Sequence, residues 1–297
     1  MTLALVTGAT GLVGRALCAE LLEHGWQVRA AMRSMGRIER VEAFATGDLP
    51  QASWDAALNG VEVVFHLAAA VHSRGTEALY HAVNVAGTER LALAAVRAGV
   101  RRLVFVSTIK VNGESPLPGK PFRAADAPQP RDGYARSKWK AEQVLAEIAA
   151  SSQIEVVIVR PPLVYGPGVR ANFLRLMQLA DSGLPLPLAS IRNRRSLVFS
   201  RNLASLLRAC GNHSAAAAGV FLAADGEDLS TPELVRRIAG ALGHIARLVP
   251  FPPSLLPAKL SGSLAVDATG THERLNWRPQ FGVDEGIART VAWYRSR

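Results

Sequence analysis

Tyr134 and Lys138 stand four residues apart at the start of a segment with helical spacing, so they share one helix face about a turn apart. A phenol with a reference pKa of about 10 gives up its proton reluctantly at neutral pH; a cation beside it favours the phenolate, each pKa unit being worth about 1.4 kcal/mol. Such a pair can take a proton from a hydroxyl or return one to a carbonyl. Near the N-terminus, Gly8-x-x-Gly11-x-x-Gly14 follows directly on the apolar run Leu3–Val6. The first glycine permits a tight turn, the second lets backbone approach a pyrophosphate, and the third lets a helix pack closely on the strand. The N–H groups that open that helix then face the anion. A proton carrier and a dinucleotide loop on one chain point to oxidation and reduction at a carbon–oxygen bond.

These residues need elements to position them. Leu3–Val6, Val28–Met32, Val61–Leu67, Leu103–Val106 and Val156–Val159 are apolar nearly throughout, as strands buried on both faces must be. Arg15–His24, Ala78–Ala98 and Tyr134–Ala150 lie between them with apolar residues at three- and four-residue spacing. The alternation predicts an α/β fold, a Rossmann-type doubly wound parallel sheet whose ligands sit beyond the strands' carboxyl ends. After Pro161 the prolines multiply and the elements shorten. The expected division is a dinucleotide-binding part over 1–165 and a smaller irregular C-terminal substrate-binding lobe over 166–297, with some segments returning to the core.

Length and composition set outer bounds. The chain has 297 residues, 49% hydrophobic and 20% charged, which suits a packed globular protein. Cys18 and Cys210 are too few for a disulfide framework, no run approaches the roughly 20 apolar residues of a membrane span, and no leader precedes Leu3; a cytoplasmic setting is expected. The net charge of +10 is spread in short groups, Arg33/Arg37/Arg40 and Arg192/Arg194/Arg195 among them, without the aromatic interleaving of nucleic-acid binders. Nucleic acid is therefore not an expected partner, and no metal site is expected.

Further segments arrive in a recognisable order: Gly47-Asp48-Leu49, His66-Leu67-Ala68-Ala69, Asn84-Val85-Ala86-Gly87-Thr88, Ser107-Thr108, Tyr134-Ala-Arg-Ser-Lys138 and Arg160-Pro-Pro-Leu-Val-Tyr-Gly166. With the glycine loop they resemble the extended short-chain dehydrogenase/reductase superfamily, and within it the NAD-dependent epimerase/dehydratase family of nucleotide-sugar enzymes. That resemblance implies that Gly8, Gly11, Leu12, Val13 and Gly14 hold a cofactor pyrophosphate and that Asp48, beside Leu49, bonds the adenine amino group. It implies that Leu67, Ala68, Ala69, Val106 and Pro161 line the cofactor and that Asn84 lies toward its nicotinamide side. It makes Tyr134 the acid/base, Lys138 its electrostatic partner and ribose anchor, and Thr108 the hydroxyl that bonds the reacting oxygen. His66, which ends a buried strand, is expected to be structural.

The same resemblance frames the cofactor and the reaction. Members that prefer NAD usually end the second strand with a carboxylate; here it reads Val28-Arg29-Ala30-Ala31-Met32-Arg33, and Arg33 would attract a 2′-phosphate, so NADP is expected, with NAD possible. Ile109-Lys110 stands where dehydratases carry Asp-Glu, which argues against dehydration, and neither cysteine is placed for a 3,5-epimerase. The main expectation is an NADPH-dependent 4-ketoreductase of a UDP-linked 6-deoxy, N-acetyl 4-keto sugar, since Ser107–Gly113 resembles a surface-polysaccharide subgroup containing such enzymes. Leu163, where UDP-galactose 4-epimerase has asparagine, and a shorter carboxyl half depart from the epimerase pattern. The alternatives are a UDP-sugar 4-epimerase with tightly bound NAD and, further off, a reductase of non-sugar ketones or a non-catalytic NADP-binding sensor. Lys110, Asn112, Asn172, Phe173 and Arg195 are the expected contacts to the nucleotide-linked sugar, and helices 78–98 and 134–150 the expected homodimer interface.

Overall fold

The computed structural model describes residues 1–36, 38–71 and 76–297; Arg37 lies outside the described residues. Its strands are β1 (Leu3–Thr7), β2 (Gln27–Met32), β3 (Glu42–Ala45), β4 (Val63–His66), β5 (Arg102–Val106), β6 (Glu155–Arg160), β7 (Leu163–Tyr165), β8 (Arg195–Phe199), β9 (Val220–Leu222) and β10 (Asp228–Leu229). Seven form a parallel sheet in the order β3-β2-β1-β4-β5-β6-β9. From β1 the chain runs outward through β2 and β3, then returns to β4 on the other side of β1. That reversal opens a crevice at the carboxyl ends of β1 and β4, where a doubly wound sheet takes its ligands.

The helix Leu12–Glu23 shows how local sequence closes an element. Leu17, Cys18 and Leu21 are buried on one face. Gly25 then turns left-handed at φ +77°, its N–H bonding Leu22 O at 3.2 Å while Trp26 N–H bonds Leu21 O at 3.0 Å. These two bonds satisfy the last carbonyls and stop the helix, as glycine at this position commonly does.

One core spans both stretches of chain that the sequence separates. Leu203, Leu206, Leu207 and Cys210 of the helix Ser200–Asn212 pack with Val6, Leu17, Leu21 and Phe65. β9 adds the seventh strand beside β6. The segments returning to this core include 200–212, β9 with Ala216 and Ala223 on either side of it, and Leu275 and Trp277. The rest of 166–297 builds a second core around Tyr165, Phe173, Met177, Phe199, Ile238 and Ile287, over a small sheet in which β8 pairs β7 parallel and β10 antiparallel. Each fully buried side chain of this kind contributes about 1.5–3 kcal/mol.

The span expected to be one helix over 78–98 is helical but not uniformly α: Glu77–Tyr80 and Gly87–Arg97 flank a π segment, His81–Ala86. Single π turns of this kind mark places where a helix gives up regularity to aim a residue. Here that residue is Asn84.

Beneath the crevice lies a buried ion pair. Arg160, at the end of β6, donates to both oxygens of Glu142, at 3.0 and 2.5 Å, and the two side chains are 3% and 4% exposed. Ser107 donates to the same carboxylate. Replacing Arg160 with Met strands a buried carboxylate, and urea denaturation should show a loss of about 3–5 kcal/mol, partly recovered in Glu142→Gln/Arg160→Met. A loss within experimental error in the single variant would mean that the pair holds nothing together.

Candidate active site

The glycine loop is built by close approach. Gly8 sits at φ +69°, and a Cβ there would meet Ala68 N at 2.8 Å; a Cβ at Gly14 would meet Gly8 O at 2.1 Å. The end of β1, the chain after β4 and the first turn of the helix are therefore pressed together as only glycine allows. The helix Leu12–Glu23 starts at Gly11 with no side-chain cap and no acidic residue in its first turn. Its leading N–H groups and their partial positive charge remain available to an anion. This cradle fits the pyrophosphate of a dinucleotide. Val13 and Leu12 are half-buried beside it.

A polar relay fixes the loop after β4. The N–H groups of Leu67 and Ala68 donate to Thr7 Oγ1, each at 3.1 Å. Thr88 donates to Asn84 O at 2.8 Å, so it accepts from His66 Nε2 at 2.9 Å. His66 Nδ1 is then the acceptor for the Thr7 hydroxyl, at 2.7 Å. Burial first, and then the Lys138 charge, push the His66 pKa down to about 3. His66 is neutral, spent on both nitrogens and structural.

Asn84 joins this loop to the catalytic helix Gly133–Ala150. Its Oδ1 accepts from Ala70 N at 2.8 Å, and its Nδ2 donates to Ala70 O at 3.0 Å and to Ser137 Oγ at 2.9 Å. Ser137 in turn donates to Tyr134 O at 2.7 Å. Asn84 is buried and acts through backbone positions, not through an open amide.

Tyr134 and Lys138 occupy the first turns of that helix. Lys138 is 1% exposed, with its Nζ 3.9 Å from the centroid of Phe105 on β5. Burial lowers its pKa to about 7, against the opposing charge of Glu142. Tyr134 is half-buried, its ring 6.2 Å from that of Tyr80. Burial, then Asp132 and Tyr80, push its phenol well above the usual range. Thr108 follows Phe105 by three residues, past the end of β5, and its Oγ1 accepts from Lys110 N at 3.3 Å. Lys138 thus lies against β5, Thr108 lies just beyond that strand's end, and the loop 67–70 reaches the first turns of the helix through Asn84 and Ser137.

The expected substrate contacts separate. Asn112 is 2% exposed, accepts from Arg160 Nη1 at 3.1 Å and donates to Arg123 O at 2.8 Å, so both ends of its amide have partners inside the protein. Phe173 is 2% exposed and stacks on Tyr165 with centroids 5.2 Å apart. Lys110 is half-buried and donates to Asp132 Oδ2 at 2.6 Å and Glu114 Oε1 at 3.2 Å. Burial opposes its charge, but Asp132 and then Glu114 outweigh that and raise its pKa. Asp132 also caps the catalytic helix, accepting from Ala135 N at 2.7 Å. Asn172 is exposed on the C-terminal lobe. Arg195 is half-buried there, Nη1 donating to the carbonyls of Lys259 and Gly262 at 3.1 and 2.9 Å. Arg33 and Asp48 are exposed, and neither makes an ion pair or side-chain hydrogen bond among the described residues. Leu49 packs against Gly87, Ala69 and Val106 are half-buried, and the buried Pro161 accepts from Ile109 N at 3.0 Å.

The model of the NAD dependent epimerase/dehydratase family matches residues 4–222, which carry the glycine loop, Thr108, Tyr134 and Lys138. The chain belongs to that family. This family member is 41% identical over 307 residues to a UDP-glucose 4-epimerase of Vibrio cholerae, covering 97% of the chain and 94% of the relative. It is 30% identical over 321 residues to a ceramide reductase of Caulobacter vibrioides, covering 98% and 94%. Among solved structures it superposes on MoeE5 in complex with UDP-glucose and NAD with a TM-score of 0.85, 27% identity and coverage of 99% and 98%. It is an NAD(P)-dependent enzyme of the nucleotide-sugar epimerase/dehydratase type. Among the described residues no helix is long and apolar enough to cross a membrane.

Lys138 makes the site's stability depend on pH. Its folded pKa of about 7 lies below the ordinary 10.5, so the unfolded chain binds the extra proton between these values. Stability from this group is present above pH 10.5 and is lost as pH falls to about 7. Lys138→Met should therefore raise the melting temperature of the cofactor-free protein by several degrees at neutral pH and below, with the gain shrinking toward pH 10.5 while turnover is lost. A destabilised, pH-indifferent variant would contradict this.

Proposed function

We propose that this family member is a UDP-hexose 4-epimerase that keeps NAD bound through its cycle. The observation that carries this reading is 41% identity with the Vibrio UDP-glucose 4-epimerase along 97% of the chain, supported by a structural neighbour holding UDP-glucose and NAD. The 4-ketoreductase expected from Arg33 and the short carboxyl half gives way to the alternative. The match covers 94% of the Vibrio relative, so a chain of this size carries that name elsewhere.

The residues suit the chemistry. The cofactor supplies reversible hydride acceptance at C4 of the sugar. Tyr134 is held protonated in the free chain and must first give up that proton; as phenolate it accepts the C4 hydroxyl proton when the sugar is oxidised, and as phenol it returns that proton to the carbonyl oxygen. Lys138, with a pKa of about 7, can accept or restore that proton near neutrality. Thr108 offers a hydroxyl to the same oxygen. Gly8, Gly11 and Gly14 seat the pyrophosphate, Asp48 reaches for adenine, and Asn172 and Arg195 face the substrate nucleotide from the lobe. A homodimer through the helical spans 77–97 and 133–150 belongs to the same reading; Leu79 and Leu93 remain 48% and 42% exposed.

One observation favours a second reading, a ketone reductase using NADPH. β2 ends at Met32 without a carboxylate, the exposed Arg33 has no ionic partner among the described residues, and a ceramide reductase is among the relatives. Incubation of purified protein with UDP-glucose, without added cofactor, separates them. UDP-galactose should form, and Tyr134→Phe should slow its formation by about 10²–10⁴-fold. Stoichiometric NADPH consumption with a keto substrate and no interconversion would replace the epimerase by the reductase.

A further inference from the structure

A cavity of about 560 Å³ lies between the first turns of Leu12–Glu23, the segment 167–174 and the helix Val283–Arg295. Thr108, Tyr134, Lys138 and the loop 67–70 are not among its walls. Four arginines line it, Arg15, Arg170, Arg201 and Arg297, and no carboxylate side chain does. Arg201 is held by Glu23 at 2.6 Å, and Arg297 lies over the Trp293 ring, 5.0 Å from its centroid. Arg15 and Arg170 make no ion pair and no side-chain hydrogen bond among the described residues.

The wall around Arg15 is shaped for it. Gly168 adopts φ +93°, and its Cα lies close to the exposed Arg15 guanidinium: a Cβ there would be 2.8 Å from Nη2. Two residues on, Ala171 sits at φ +53°, a left-handed conformation costly for any residue with a Cβ and frequent at ligand clamps. The eleven-residue helix Ala171–Asp181 that follows begins without a side-chain cap or an acidic residue in its first turn. Its partial positive charge adds to that of Arg170.

We infer that this cavity, whose walls lack Thr108, Tyr134, Lys138 and the loop 67–70, is an anion site for a phosphorylated small molecule. Two uncompensated guanidinium groups match a dianion, and their planar forks fit phosphate oxygens in pairs. Leu12, Val169, Leu174 and Trp293 offer apolar surface to an organic part. The volume lies within the roughly 300–1,000 Å³ of small-molecule sites. Its occupant bridges the helix that opens the glycine loop and the segment that carries Asn172. The inference does not depend on the epimerase reading, because binding is measured without turnover.

Isothermal titration of NAD-saturated protein with inorganic pyrophosphate should show one site per chain. Arg15→Gln/Arg170→Gln should weaken it by at least about tenfold with NAD binding and the circular dichroism spectrum unchanged, and Arg15→Lys/Arg170→Lys should retain most of the affinity. In protein also saturated with UDP-glucose, ADP bound more tightly than pyrophosphate, with that gain lost in Trp293→Ala, would identify the organic part as a nucleoside; equal binding would assign the site to the free anion. An isotherm identical in wild type and the Gln/Gln variant, or no saturable binding at millimolar pyrophosphate, would overturn the proposal.

Discussion

A lysine ammonium group sealed away from water sets the terms for everything around it. Removing a cation from solvent costs several kcal/mol even after the protein relaxes, and Lys138 is 1% exposed. Two features offset that cost. The Phe105 ring lies 3.9 Å from Nζ and offers its negative face. Glu142, one turn along the same helix, favours the charged form. Glu142 is in turn buried and must be paired, so Arg160 reaches it from β6 and Ser107 from the end of β5. Charges therefore alternate from Lys138 through Glu142 to Arg160. Arg160 extends the chain to Asn112, and Asn112 to the carbonyl of Arg123. Two strand ends, the loop after β5 and the catalytic helix are locked by one requirement.

The same lysine governs its neighbours' protonation. Its charge adds to burial in keeping His66 neutral, and a neutral His66 is what the relay from Thr7 to Thr88 needs. Asn84 then fastens that relay to the helix through Ser137. The π segment exists where this contact is made, between two stretches of ordinary α-helix. The geometry of the site thus rests on side chains bonded to one another inside the protein.

Much of this was legible in the residues. Glycine spacing foretold the close approach of the loop because only backbone geometry is involved. Apolar runs foretold the inner strands because both faces of a parallel sheet are covered. Helical spacing placed Tyr134 and Lys138 on one helix, which the fold bears out. Side chains whose role depends on distant partners did not. Phe173 next to a glycine-rich turn and Asn112 beside a strand end carry no local mark of burial. Their partners lie at Tyr165 and Arg160, brought near only by the fold. The reaction itself was obscure for a different reason. Reductase and epimerase chemistry require the same hydroxyl, phenol and ammonium, so the trio cannot separate them, and Arg33 speaks to cofactor phosphate alone. Similarity along the whole chain, lobe included, is what tilts the choice.

The sealed lysine can be observed directly. In a protein with isotopically labelled lysine, nuclear magnetic resonance follows each side chain through a pH titration, and the signal missing from Lys138→Met is that of Lys138. The account predicts a midpoint of about 7 for it, while the signal of Lys110, gripped by Asp132 and Glu114, titrates above the ordinary 10.5. A Lys138 midpoint at 10.5 would mean that water reaches the ammonium group, and the account of the site would fail.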